Sequence, residues 1–147
     1  VIRAELDRCR TILDRMSTTR PSLEVTPVTS PEEILAAREL PDSITVDPRI
    51  REYIVDIVMA PRNPAAYNLP LNDLIQFGAS PRATINLTIA SKANAFLEGR
   101  GYVLPQDVKE IAMDVLRHRI ILTYEAEAEE KTPEDLIQEV LSVIPVP

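Results

Sequence analysis

The sequence predicts an all-α helical bundle with at most a minimal two-stranded β pairing, and three observations carry that prediction. Prolines stand directly after capping residues at Ser30-Pro31, Asp47-Pro48, Ser80-Pro81 and Thr132-Pro133. This is how a capped helix begins: the fixed φ suits the first helical position and the missing N–H leaves no donor unpaired. Behind these starts, apolar residues recur at spacings of three and four, which gathers them on one helix face. At 147 residues and 45% hydrophobic, the chain has the length and apolar content for one ordinary core plus extensions.

The elements follow in order. Ile2, Leu6, Cys9, Leu13 and Met16 form an apolar stripe with Arg3, Asp7, Arg10 and Asp14 between them, an amphipathic helix too short to choose between a coiled coil and docking. Cys9, the single cysteine, excludes an internal disulfide and reads as a buried thiol on that stripe. Residues 18–29 read as an extended linker and 31–38 as a short helix, with Glu33 placed to answer back to the Ser30 cap. In the helix from Pro48, Ile50, Ile54, Ile57 and Val58 share a face while Glu52 and Asp56 point away.

Residues 61–77 carry Pro61, Pro64, Pro70, Asn63, Asn68 and Asn72, which disfavour regular structure. They form either a mobile functional loop or a connection anchored by burial of Tyr67, Leu69 and Leu71. The helix opened by Ser80-Pro81 has Ile85, Ile89, Ala93 and Phe96 on one side and Ala83, Leu87 and Ala90 nearly opposite. A helix apolar on two sides is a central one, so Ile89 is expected in the core. Ile44-Thr45-Val46 and Tyr102-Val103-Leu104 are β-prone and each precedes a helix, which makes them the candidates for the small pairing.

After Pro105, Val108, Ile111, Ala112, Val115 and Leu116 define another apolar face. Arg117-His118-Arg119 then suits a helix end, where cations satisfy the last carbonyls; the lone histidine has no cysteine near it to suggest zinc. The acidic run 125–130 reads as a solvated connector. Leu136, Val140 and Val143 make the last helix amphipathic, with Asp135 answering the Thr132 cap.

Charge and motif content narrow the function. A net charge of −7 and a pI near 4.8 argue against non-specific attraction to nucleic acid or an anionic membrane. No apolar run approaches the roughly 18 residues of a membrane span, and Val1-Ile2-Arg3 does not open a signal peptide, so a cytoplasmic location is expected. The 3 glycines, Gly78, Gly99 and Gly101, belong to no G-x-x-x-x-G-K-[ST] loop. No strand-like run ends in the Asp-Glu pair that would hold magnesium. The chain is therefore not expected to hydrolyse ATP by itself. Asp56, Asp73, Asp107 and Asp114 show no spacing that marks a carboxylate pair.

One segment points to a ligand. In Gly78-Ala79-Ser80-Pro81-Arg82-Ala83 the cap and the proline start a helix and set Arg82 in its first turn, where free N–H groups and the positive dipole end favour an anion. That arrangement suits a phosphate. Together with Gly99-Arg100-Gly101-Tyr102-Val103-Leu104-Pro105-Gln106-Asp107-Val108 and Val115-Leu116-Arg117-His118-Arg119, it resembles three ordered signatures of the C-terminal lid of MoxR-type AAA+ ATPases. Leu104 departs from the pattern, since the family usually has Ser or Thr there, and leucine cannot cap through its side chain.

The resemblance implies an AAA+ lid-type helical bundle over residues 23–147, with 1–22 as an N-terminal amphipathic helix and linker. It further implies that Arg82 is the sensor 2 residue, with Ala79, Ser80 and Pro81 around it at the nucleotide, and that ATP and Mg are bound only in a full-length parent. The implied partners are the chain's own missing AAA+ nucleotide-binding domain, the other subunits of a hexameric ring, and proteins with von Willebrand factor A domains. A stand-alone helical adaptor for protein–protein contacts is the alternative reading. A histone-like DNA-binding bundle is disfavoured by the negative charge.

Overall fold

The computed structural model describes residues 2–17 and 26–147, and residues 18–25 of the expected linker lie outside them. The chain divides into two compact units, residues 1–34 and 35–147. In the first, α1 (Ile2–Met16) bears its stripe outward: Leu6, Leu13 and Met16 are exposed. Cys9 is exposed with them rather than buried, because a single amphipathic helix offers its own stripe no cover. Short α2 (Pro31–Ala37) starts as expected, with the Glu33 N–H donating to Ser30 Oγ at 3.2 Å and the Ser30 N–H donating to Glu33 Oε2 at 2.8 Å.

The second unit holds the core. Its elements are α3 (Pro48–Met59), β1 (Ile75–Phe77), α4 (Arg82–Leu97), α5 (Pro105–Leu116), β2 (Ile121–Leu122), α6 (Tyr124–Ala128) and α7 (Pro133–Val143), with 3-10 turns at Leu40–Ser43, Ala60–Arg62 and Pro64–Tyr67. Asp47 caps α3 by accepting the Arg49 N–H at 2.9 Å. The four predicted core residues of α3 are buried, joined by Tyr53. Helix α4 packs on α5 and α3, and α7 packs on α5. Thr132 and Asp135 form the reciprocal cap of α7.

Three expectations change. Helix α4 buries one face only, through Ala83, Leu87, Ser91 and Ala95, while Ile85 and Ile89 are 58% and 57% exposed. The small residues let α5 and α3 approach closely along that face, and the branched ones are left outside. Ile89 is thus not a core site. In α7, Ile137 is buried and Val143 is half-exposed, since Val143 sits at the fraying last position. Finally, the acidic run is solvated as expected, with Glu125, Glu127, Glu129 and Glu130 exposed, but its first part is helical: Thr123 Oγ1 accepts the Ala126 N–H at 3.2 Å and starts α6, which buries Ala126.

The β content is also redistributed. Thr45 and Tyr102 form one parallel bridge, the Thr45 N–H donating to the Gly101 carbonyl and the Val103 N–H to the Thr45 carbonyl, both at 3.0 Å. The regular sheet is the antiparallel pair β1–β2, with Ile75 opposite Leu122 and Phe77 opposite Ile121. Strands of three and two residues are too short for a period-2 signal.

Segment 61–77 is an anchored connection. Leu69 and Leu71 are buried, and Tyr67 Oη donates to Asp56 Oδ1 at 3.0 Å. Gly99, at φ +70°, ends α4: its N–H donates to the Phe96 carbonyl and the Arg100 N–H to the Ala95 carbonyl, both at 2.9 Å.

Candidate functional site

The lead-in to Arg82 is held at three points. Strand β1, paired with β2, delivers the chain to Gly78. At Gly78 a Cβ would lie 2.7 Å from the carbonyl carbon and oxygen of Pro61, so only glycine admits this close backbone approach. Ala79 is fully buried, and its carbonyl accepts from Arg62 Nη1 at 3.1 Å. Gly78→Ala is therefore expected to destabilise the chain by about 1–3 kcal/mol, as overpacking does. Thermal unfolding checks this, and an unchanged Tm would mean that the turn shifts freely.

From this base α4 begins. Ser80 Oγ accepts the Arg82 N–H at 3.3 Å, so the cap acts one residue before the first regular turn. The Ala83 N–H donates to the Ser80 carbonyl at 2.7 Å and the Thr84 N–H to the Pro81 carbonyl at 3.1 Å. The first-turn amides are thus engaged locally, unlike the free donors expected from the sequence. What the site offers an anion is the side chain of Arg82, which is exposed. Among the described residues no carboxylate pairs with it, whereas Arg10, Arg49, Arg100 and Arg117 each have an acidic partner. Of the four residues expected at the nucleotide, Ser80, Pro81 and Arg82 are exposed and Ala79 supports them from inside.

The second signature builds a buried polar node. Asp107 is 1% exposed, and both its oxygens accept from the Arg100 guanidinium, with Nη1 to Oδ2 at 2.7 Å. It also accepts the Leu104 N–H at 2.7 Å and the Asn94 amide at 3.0 Å. Burial alone would raise the pKa of Asp107, but Arg100, the Leu104 N–H and Asn94 outweigh it and hold the carboxyl below its usual value. Asp107 supplies half of a capping box, which is how α5 starts without a Ser or Thr at position 104. The third signature ends α5: Arg119 Nε donates to the Val115 carbonyl at 2.8 Å.

Sequence reasoning assigned nothing to Arg62, Arg100 and Asp107. Asp107 had a usable signal, three residues after Leu104 at the position where an acid answers back to a helix start. Arg62 had none, since its partner lies 17 residues away across a turn. Among the described residues no group of three or more His, Cys, Asp or Glu is placed to hold a metal ion, and no helix is long and apolar enough to cross a membrane.

These helices, with the small sheet and the arginine-led α4, define a helical lid of the AAA type, and the AAA lid domain family matches residues 71–140. The chain belongs to the MoxR family of AAA+ ATPases, as a lid domain. It is 39% identical over 141 residues to "Chaperone MoxR1" of Mycobacterium tuberculosis, covering 94% of this chain and 36% of that protein. It is 43% identical over 107 residues to "Protein MoxR" of Paracoccus denitrificans, covering 68% of this chain and 31% of that one. The crystal structure of a proposed ATPase from Cytophaga hutchinsonii superposes with a TM-score of 0.87 at 37% identity, over 96% of this chain and 43% of the other. The chain thus spans about a third of the length of these curated relatives.

Proposed function

We propose that this chain is the C-terminal lid of a MoxR-type ATPase and contributes to ATP binding and hydrolysis through Arg82 as a sensor 2 residue. The observation that carries the reading is an exposed guanidinium without an acidic partner among the described residues, on a lead-in fixed by Gly78, Ala79 and Arg62. Arginine binds phosphate with charge-assisted, two-pronged hydrogen bonds. Held on a lid, it engages the terminal phosphates only when the lid is closed, so nucleotide state is coupled to domain angle. ATP supplies the bond to be hydrolysed, and the magnesium ligands belong to the nucleotide-binding domain rather than to this chain. A ring of subunits, proteins with von Willebrand factor A domains as partners, and a cytoplasmic location complete the proposal.

The test is a deletion. The 147-residue chain alone is expected to show ATP turnover at background, and the full-length protein without residues 35–147 is expected to lose most of its hydrolysis. Hydrolysis unchanged by the deletion would contradict a lid role. The adaptor reading keeps one supporting observation, the exposed stripe of α1; similarity to MoxR-named proteins across most of the chain weighs against it.

A further inference from the structure

A second arginine holds the segment that presents Arg82. Helix α3 runs into the 3-10 turn Ala60–Arg62, in which Ala60 and Pro61 are buried and the Asn63 N–H donates to the Met59 carbonyl at 3.2 Å. Arg62 therefore leaves from a firm base. Its side chain passes over Gly78, where Cγ lies 2.8 Å from the place a Cβ would occupy, and Nη1 donates to the Ala79 carbonyl at 3.1 Å. This bond crosses 17 residues of sequence and ties the end of α3 to the start of α4.

Three features give the bond a directing role. Ala79 is fully buried, and among the described residues its carbonyl accepts from no other donor, so losing Arg62 would leave it unpaired at a cost in free energy. Among the described residues no carboxylate pairs with Arg62 to draw the guanidinium away. Aiming the Ala79 carbonyl also fixes the planar Ala79–Ser80 peptide unit, and Ser80 is where the helix begins. Its Oγ accepts the Arg82 N–H and its carbonyl the Ala83 N–H. The cap bond is long at 3.3 Å, so the direction of the first turn depends on what holds Ala79.

We propose that Arg62 is a positioning residue for Arg82: by holding the Ala79 carbonyl it sets the direction in which the first turn of α4 presents the Arg82 guanidinium to the terminal phosphates of ATP. The proposal rests on the sensor reading of Arg82. A carbonyl needs one donor, whereas a phosphate is gripped by both prongs of a guanidinium. The two arginines therefore respond differently to replacement by lysine.

The test is a double-mutant cycle in the full-length protein, read as ATP affinity and as hydrogen exchange of the amides of residues 82–84 without nucleotide. Arg62→Ala and Arg62→Met are each expected to weaken ATP binding by about threefold to tenfold, the range for one lost hydrogen bond. Both should speed exchange of those amides by about fivefold or more. Arg62→Lys is expected to restore most of both, and Arg62→Ala added to Arg82→Ala to weaken ATP no further. Losses that multiply in the double variant would overturn the proposal, since a separate phosphate contact by Arg62 or a general loosening of the fold would give them. Unchanged exchange in Arg62→Ala, or a lysine that restores nothing, would overturn it too. Unchanged ATP affinity in Arg62→Ala beside a weakened Arg82→Ala would keep the sensor and remove the positioning role. Arg82→Ala without effect on ATP would remove the sensor reading itself, and the positioning role with it.

Discussion

Arg82→Ala in the full-length protein is expected to lower ATP hydrolysis or nucleotide affinity by roughly tenfold to a hundredfold, since charge-assisted hydrogen bonds contribute about 1.5–3 kcal/mol. Arg82→Lys restores only part of this, because one ammonium does not reproduce the planar fork. The isolated chain is expected to lose no more than about 0.5 kcal/mol of stability from either change, as for other exposed sites. Steady-state kinetics and urea denaturation check the two halves. Unfolding of the isolated chain by the substitution would reassign Arg82 to the architecture.

Asp107→Ala is expected to have the largest effect on stability, about 3 kcal/mol. That is the low end for breaking a buried ion pair, chosen because the Arg100 side chain is 24% exposed and keeps some water. The substitution also leaves the Leu104 N–H and the Asn94 amide without their acceptor. Asp107→Asn keeps an acceptor oxygen and should cost less. The pH dependence follows from a folded-state pKa held below the unfolded one. The contribution of Asp107 is complete above the unfolded aspartate value of about 3.9 and is lost as pH falls through the lower folded value. Urea midpoints for parent and Asp107→Asn should therefore converge below about pH 4. A constant gap across that range would show that the charge of Asp107 contributes nothing.

Much of the helical body was legible because its signals are local. Asp47-Pro48 and Thr132-Pro133 announced α3 and α7, and the face of Ile50, Ile54, Ile57 and Val58 is the face buried. Ile85 and Ile89 failed for a physical reason. Spacing shows which residues share a face but not whether that face has a neighbour, and on α4 the small residues Ala83, Ser91 and Ala95 won the close contact. The β1–β2 pairing joins residues nearly 50 apart in sequence, so no turn signal links them. Arg82 was visible through its cap and proline. Its supports were not, because Pro61 and Arg62 reach Gly78 and Ala79 only through the fold.

The most direct test of the central claim is the affinity of the full-length protein for ATP, ADP and AMP, with and without Arg82→Ala. If the guanidinium meets the terminal phosphates, the substitution should weaken ATP by roughly tenfold or more and leave AMP nearly unchanged. Equal weakening of all three nucleotides, or of none, would contradict the account.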